Sequence, residues 1–103
     1  MPYKLSRKAE DDLIHIYIEG VRLFGVPQAD AYYDKLQHSL SIVANHPRIA
    51  RERTELKPPM RIHPCGAHII VYREQDDSDV LIVRIRHHAE DWISDPAGGG
   101  ETS

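Results

Sequence analysis

The chain reads AHIIVYREQDDSDVLIVRIR from Ala67 to Arg86. Two runs rich in isoleucine and valine, residues 67–73 and 80–86, enclose a short polar segment, which is the pattern of two antiparallel strands joined by a turn. We expect Tyr72 to lie opposite Leu81 in this hairpin. Because side chains alternate along a strand, residues 68, 70, 72, 81, 83 and 85 would then share one face, and residues 69, 71, 73, 80, 82, 84 and 86 the other. Both faces are therefore apolar close to the turn.

The residues before this hairpin predict two helices separated by a tight break. Ser6 is a good N-cap for a helix that runs to about Phe24, and Gly25 is the expected stop. Pro27 suits the first turn of a second helix, which continues to about residue 45, before the His-Pro pair at residues 46 and 47. The very short connection makes the two helices antiparallel neighbours.

The remaining elements are short strands and one long loop. Residues 2–5 and residues 60–63 have the pattern of strands, whereas residues 48–59 are polar and basic and contain prolines, as loops do. The order of elements predicts an α+β fold, in which a short N-terminal strand and an antiparallel α-helical hairpin pack on an antiparallel β-sheet. We place this domain at residues 1–93 and a flexible acidic, glycine-rich tail at residues 94–103.

Apolar side chains cover a wide arc of the first helix. At 100° per residue they span about 220°, whereas those of the second helix fill about 120°, as in an ordinary one-sided helix. Ile14, Ile18 and Val21 lie at the edge of the wide arc. Either the second helix covers these three side chains or they await a partner chain.

The sheet raises the same question, because two helices form one layer and one layer covers one face. On the face left open, the expected register places Val80 and Ile82 beside Arg84 and Arg86, with Arg61 on the neighbouring strand. An apolar patch rimmed by arginines predicts a binding surface. The alternative is a partly solvated sheet whose arginines simply lie over their neighbours.

Composition limits the classes of protein that fit. The chain has 103 residues, a net charge of −3, 41% hydrophobic residues and 28% charged residues, which indicate one compact, soluble domain. Its apolar runs are far shorter than the about 20 residues of a membrane helix, and its start has no signal-peptide core. With Cys65 as the single cysteine, we expect a reducing, cytoplasmic location and no membrane attachment.

Charge is distributed unevenly along the chain. Residues 47–75 carry six basic and three acidic side chains, and residues 76–103 carry two basic and seven acidic ones. This asymmetry favours local recognition of charge over a general nucleic-acid coat. The alternative is a solvated basic loop beside an acidic tail.

Patterns for catalysis and metal binding are weak. The seven histidines lack the spacing of metal ligands, and no cofactor motif is present, so we predict neither a metal nor a cofactor. The side chains that could support RNA cleavage are Arg61, Arg84, Arg86, His63, His87 and His88. The expected register, however, places His87 on the face opposite to Arg84 and Arg86. A histidine of the core or of the sheet edge is therefore the favoured interpretation of His87.

Several short motifs follow one another in a recognisable order and spacing. They are Tyr3-Lys4-Leu5-Ser6, Ala9, Leu13, Phe24-Gly25, Ala29, Tyr33, Leu36, Leu40, Asn45-His46-Pro47-Arg48, Glu55-Leu56, Arg61, Gly66-Ala67-His68, Val71-Tyr72-Arg73 and Val83-Arg84-Ile85-Arg86-His87. Together with the order of strand, helical hairpin and antiparallel sheet, they resemble the ParE branch of the ParE/RelE toxin superfamily over about residues 2–91. The chain departs from that pattern at Phe24, where the family usually has tryptophan, at Arg86, where it has an aliphatic residue, and at Pro59, near a usual glycine.

The resemblance implies the toxin of a bacterial type II toxin–antitoxin pair, without catalysis of its own and therefore without a catalytic residue. Such a toxin blocks DNA gyrase and is held inactive by a ParD-like antitoxin, through which it meets DNA only indirectly. The side chains that we expect to bind the antitoxin, with its acidic residues facing the arginines, are Ile14, Ile18, Val21, Arg61, Arg73, Val80, Ile82, Arg84 and Arg86. Those that we expect to contact the target are Arg84, Arg86, His87 and His88.

Two other functions stay open at this point. The RelE branch of the superfamily cleaves ribosome-bound messenger RNA with basic groups around the open sheet face, and often with a C-terminal tyrosine. Here only histidines follow Arg86 as basic groups, no tyrosine follows Tyr72, and the acidic end disfavours docking on RNA. These features favour gyrase inhibition over a RelE-like mRNA endonuclease. A binding module without toxicity, such as a degenerate toxin, is the third possibility.

Overall fold

A computed structural model describes residues 3–75 and 79–89. Its elements are strand β1 (Tyr3–Leu5), helices α1 (Arg7–Phe24) and α2 (Val26–Asn45), a 3₁₀ turn (Pro47–Ile49), and strands β2 (Glu52–Arg53), β3 (Met60–Cys65), β4 (His68–Glu74) and β5 (Val80–His87). The five strands form one sheet in the order β1-β5-β4-β3-β2. The α+β prediction is confirmed, with two differences. β1 pairs parallel to β5, which makes the sheet mixed, and the predicted loop at residues 48–59 contains β2.

The helical hairpin begins and ends at the predicted residues. Ser6 Oγ accepts a hydrogen bond from the N–H of Ala9 at 3.0 Å, as an N-cap does, and donates to the carbonyl oxygen of Val83 at 2.6 Å. Gly25 adopts a φ of 89°, which residues with a side chain disfavour, and its N–H bonds to the carbonyl oxygen of Val21 at the end of α1. Ser6 thus both starts α1 and ties it to β5.

The main core lies between the helical hairpin and one face of the sheet. Its largest fully buried members are Leu36, Leu40 and Val43 from α2, and Ile70, Tyr72, Val80 and Ile82 from the sheet. Val80 and Ile82 are 1% and 0% exposed. Their predicted position on the open face of the sheet is therefore wrong.

The expected pairing of Tyr72 with Leu81 is wrong by one residue, which moves Val80 and Ile82 to the face of Tyr72, and one extra residue in β5 then restores the predicted face of Ile85. Tyr72 lies opposite Ile82, whereas the preceding residue Val71 lies opposite Arg84, so Val83 is inserted between the two pairs. A bulge of this kind inverts the alternation of side chains along the strand. Residues 82 and 85 consequently both face the helices, on the two sides of the bulge.

The second face of the sheet carries a smaller core of its own. Its buried members are Leu56, Met60, Ile69 and Val71, and Ile62 and Val83 pack against them. Leu56 belongs to the connection between β2 and β3, which folds over a face that the helices do not reach. The prediction that this face stays open is therefore wrong where the connection covers it.

The predicted arginine rim is divided between the two faces. Arg73 and Arg86 are half-buried on the second face, as their register in β4 and β5 requires. The register of β3 places Arg61 on the helix face instead, where its Nη1 donates to the carbonyl oxygen of Ala50 at 2.6 Å and its Nη2 donates to Glu74 at 3.4 Å. The predicted position of Arg61 on the open face is wrong for this reason.

The predicted end of the domain at residue 93 and the predicted tail at residues 94–103 lie outside the described residues. Within residues 3–75 and 79–89, neither helix has both the length and the apolar character that a membrane crossing requires. The same residues contain no group of three or more histidine, cysteine, aspartate or glutamate side chains that could hold a metal ion.

Candidate functional site

The apolar edge of α1 is exposed in the folded chain. Ile14 and Ile18 lie one helical turn apart and keep 58% and 57% of their surface exposed, and Val21 is half-buried. Of the two alternatives drawn from the sequence, full cover by α2 is wrong for Ile14 and Ile18. Their role in binding a partner stays a prediction.

A groove runs between α1 and α2 beside these isoleucines. This outer groove has a volume of about 570 Å³ and is lined by Leu5, Glu10, Leu13, Ile14, Tyr17, Ile18, Asp30 and Tyr33. The ring of Tyr17 packs edge-on against that of Tyr33, and its hydroxyl donates to Asp30 Oδ1 at 2.6 Å. The hydrogen bond to this carboxylate raises the pKa of Tyr17. The outer groove therefore combines an apolar lining with two charged residues that are both carboxylates.

A second, inner groove of about 630 Å³ opens between the tip of the helical hairpin and the ends of β4 and β5. Leu23 and Phe24 are exposed at its helical end, and His68 and His87 line its sheet end. The ring of His87 packs edge-on against His68, and the ring of His88 stacks on His87 with centroids 4.8 Å apart. The two histidines predicted to contact the target are thus both exposed, and that role stays a prediction.

Arg84 lies against α1 rather than on an open sheet face, which corrects its predicted position. Its Nε and Nη2 donate to the two carboxylate oxygens of Asp12 at 2.7 and 2.9 Å, and the N–H of Ile85 donates to the same carboxylate at 2.9 Å. The side chains of Arg84 and Asp12 are only 17% and 15% exposed. The guanidinium charge is therefore compensated within the chain, at the junction of α1 and β5.

Tyr32 ties α2 to the turn between β3 and β4. Its hydroxyl accepts the N–H of Ala67 at 3.0 Å, and lies 2.7 Å from Nδ1 of His68 and 3.3 Å from the carbonyl oxygen of Cys65. Burial raises the pKa of Tyr32, so the hydroxyl keeps its proton at neutral pH. The thiol of Cys65 is buried beside this junction and accepts a hydrogen bond from Ser39 Oγ at 3.1 Å. Both contacts join α2 to the sheet.

Gly66→Ala is expected to lower the free energy of unfolding by about 2–3 kcal/mol. Gly66 has a φ of 59°, and a Cβ at this position would lie 2.8 Å from the ring of Tyr32. Alanine would therefore strain the backbone and displace the tyrosine. Urea denaturation measures the loss. In a Tyr32→Ala background the same substitution should cost only about 1 kcal/mol, the backbone share, and an equal cost in both backgrounds would contradict the steric argument.

Stability should also depend on the protonation of His63 in β3. Burial lowers the pKa of His63 below its ordinary value of 6.5. The unfolded chain then binds this proton more readily, so the stability due to neutral His63 is present above pH 6.5 and declines as the pH falls below that value. We expect His63→Gln to flatten the pH dependence of the urea midpoint between about pH 5 and 7. His46→Gln changes an exposed histidine and serves as the control, and an equal effect there would argue against this explanation.

Two features of these grooves were not predicted from the sequence. One is the pairing of Arg84 with Asp12, and the other is the carboxylate character of the outer groove at Glu10 and Asp30. The sequence held an indication of the Arg84–Asp12 pair. Asp12 lies about 40° from Ile16 around α1, so its carboxylate borders the buried side of the helix and needs a partner there. The sequence held no such indication for the carboxylates of the outer groove, because only the approach of α2 to α1 decides which of them line it.

Comparison with known proteins relates the whole described fold to one family. A family model described as "ParE toxin of type II toxin-antitoxin system, parDE" matches residues 3–92. Toxin ParE1 of Mycobacterium tuberculosis is 34% identical over 89 residues, which cover 86% of this chain and 91% of that toxin. Toxin ParE1 of Caulobacter vibrioides is 33% identical over 88 residues, which cover 85% of this chain and 90% of that toxin.

A solved structure has the same fold. It is described as "Chromosomal ParDE TA system from P. aeruginosa", and one of its chains superposes on this chain with a TM-score of 0.73. The match covers 84% of this chain and 95% of the other, at 22% sequence identity. At that identity the comparison supports the fold alone.

Proposed function

Because the chain belongs to the ParE family of toxins from type II toxin–antitoxin systems, we propose that it inhibits DNA gyrase and that a ParD-like antitoxin neutralises it. In this proposal the toxin acts in the cytoplasm by binding its target, not by catalysis. It meets DNA only indirectly, through the antitoxin.

The exposed edge of α1 is the observation that carries the antitoxin part of the proposal. Ile14 and Ile18 remain more than half exposed beside the apolar outer groove. Monomeric soluble proteins rarely leave a continuous apolar surface uncovered unless a partner binds there. A segment of the antitoxin that folds on this surface would bury it.

The contacts of two arginines support inhibition by binding over RNA cleavage. Arg84 is held by Asp12, and Arg61 is held by Glu74 and the carbonyl oxygen of Ala50. An arginine that stabilises a phosphate during cleavage must aim its guanidinium at the reacting group. These two guanidinium groups are aimed at acceptors of the chain itself.

Two assays run in parallel test the target. We expect the purified chain to inhibit supercoiling of relaxed plasmid DNA by gyrase and to leave ribosomal translation of a reporter message intact. Arrested translation with a cleaved message and normal supercoiling would instead support the RelE-like endonuclease. Loss of neither activity, with harmless overexpression in cells, would support the binding module without toxicity.

The antitoxin part is tested with the ParD-like protein encoded beside the toxin gene. We expect it to form a stable complex with the purified chain and to restore supercoiling in stoichiometric amount. Operator DNA should be retarded in a gel by the antitoxin and by the complex, and not by the toxin alone. A toxin that still inhibits gyrase in the presence of excess antitoxin would contradict neutralisation.

A further inference from the structure

We propose that the antitoxin segment that covers the outer groove is an amphipathic helix whose apolar side chains are flanked by lysines or arginines. The inference rests on the proposed neutralisation by a ParD-like antitoxin. The antitoxin segment at this surface must carry positive charges. An arginine-rimmed sheet would instead have required negative charges on the antitoxin.

The charged residues that line the outer groove are acidic. Glu10 on α1 and Asp30 on α2 are the charged residues among those that line it, and both are exposed. Asp11, also exposed, lies three residues before Ile14 on the other flank of the apolar edge. Arg7 lies about two turns before Ile14, at the beginning of α1 and so at the end of this surface. A partner helix lying along the groove therefore meets carboxylates on both of its sides.

Three other arginines, apart from Arg7, are engaged with carboxylates of the chain. Arg84 binds Asp12 and Arg61 binds Glu74, in contacts that are mostly buried. Further along α1, Arg22 makes two hydrogen bonds to Glu19, at 2.8 and 3.1 Å. The negative potential of the outer groove is therefore not offset by these cations.

The shape of the outer groove fits a helix. It lies between two antiparallel helices, and Ile14 and Ile18 present apolar side chains at the one-turn spacing that a docked helix matches with residues at i, i+3, i+4 and i+7. The carboxylate of Asp30 is fixed in place by the hydroxyl of Tyr17 at 2.6 Å. A charge that is already ordered costs less side-chain entropy when a partner pairs with it, so position and sign are both set before binding.

A partner with acidic flanks would be rejected at this site. It would bring like charges together as the apolar surfaces lose water, which opposes association, whereas a basic partner gains attraction at encounter and in the complex. Since these rim charges remain solvent-accessible, added salt should weaken the preference.

Two synthetic helical peptides test the inference directly on the purified chain. Both carry leucines at i, i+4 and i+7, and they differ only in having lysines or glutamates at the flanking positions. We expect the lysine peptide to bind at least about 10-fold more tightly at low salt, with a smaller difference at about 0.5 M salt. Tighter or equal binding of the glutamate peptide, or no binding of either at about 1 mM, would overturn the inference.

Matched variants of the chain locate the effect. Glu10→Gln with Asp30→Asn removes both charges and keeps an oxygen that accepts the hydroxyl of Tyr17. We expect this double variant to bind the lysine peptide about 3- to 10-fold more weakly. Glu52→Gln removes an exposed carboxylate from β2, at the opposite edge of the sheet from β1, and should leave the affinity unchanged.

The same variants with the neighbouring antitoxin separate this inference from the proposed function. If the antitoxin binds the unmodified chain and binds the double variant about 3- to 10-fold more weakly, the charge inference and the proposed neutralisation are both supported. If the antitoxin binds both chains equally, the charge inference fails and the proposed neutralisation stands. If the antitoxin binds neither chain, the proposed neutralisation itself fails.

Discussion

Asp12→Ala is expected to lower the free energy of unfolding by about 3–5 kcal/mol, the usual cost of removing one partner from a buried ion pair. The substitution leaves the guanidinium of Arg84 in a site that is only 17% exposed, without the two oxygens that it contacts at 2.7 and 2.9 Å. It also removes the acceptor of the Ile85 N–H. Urea denaturation followed by circular dichroism measures the change.

A second ion pair on the same helix provides the control. Glu19 bonds to Arg22 on the exposed side of α1, where a pair of this kind contributes less than about 1 kcal/mol. Glu19→Ala should therefore have a small effect. Replacing both buried partners by apolar residues, as Asp12→Leu with Arg84→Met, should cost less than Asp12→Ala alone because no charge is stranded. If Asp12→Ala lowered the free energy of unfolding by as little as Glu19→Ala does, water would have to solvate Arg84 in the folded chain.

Ile14→Asp combined with Ile18→Asp is expected to weaken binding of the ParD-like antitoxin by at least about 100-fold. Both side chains are more than half exposed, so the fold should tolerate the change. The complex, however, would lose two buried aliphatic side chains and would have to desolvate two new carboxylates. Titration calorimetry measures the affinity, and growth rescue by the coexpressed antitoxin gives the same answer in cells.

The matched control for this double variant is Ile49→Asp. Ile49 is 55% exposed and lies in the turn after α2, away from the outer groove. We expect its substitution to leave antitoxin binding unchanged. If the double variant bound as well as this control, the edge of α1 would not be part of the interface, and another surface of the toxin would have to carry it.

The helical hairpin could be predicted from the sequence because its signals are local. Ser6 bonds to the N–H of Ala9 within the same turn, and Gly25 adopts the backbone angle that stops α1. The grouping of Ile14 and Ile18 on one edge of α1 followed from the same regularity, whereas their exposure was one of two alternatives until α2 was located. A helix repeats every 3.6 residues whatever it packs against, so Ile14 and Ile18 could be placed together before α2 was located.

The faces of the sheet could not be predicted in the same way. The inserted residue Val83 lies in a run of four apolar residues, 80–83, where every register looks equally favourable. Alternation carries no information in such a run, so the partner of Tyr72 could be placed one residue away from Ile82, and a slip of one residue exchanges the faces of residues 80–82. The cover of the second face depended on Leu56, a single leucine in a polar stretch, whose burial is decided by the path of the connection.

The sequence predicted the spacing of Ile14 and Ile18 in the candidate site, but it misplaced Val80 and Ile82 and missed the charged contacts. The spacing of Ile14 and Ile18 is a property of one helix, whereas the partner of Arg84 lies 72 residues away in the sequence. Charge balance is therefore decided by tertiary contacts. For this reason the surface expected to be basic has its charges compensated at Arg84 and Arg61. At the outer groove, the carboxylates Glu10 and Asp30 give the surface a negative charge.

The contacts of Ser6 and Asp12 with β5 also determine how another chain can attach to this molecule. Beyond the three residues paired with β1, the carbonyl oxygen of Val83 and the N–H of Ile85 are bonded to side chains from the beginning of α1. The opposite edge of the sheet is β2, which is two residues long. At the β1 edge, the backbone groups of Val83 and Ile85 are therefore already occupied, which makes that stretch of β5 a poor template for an incoming strand.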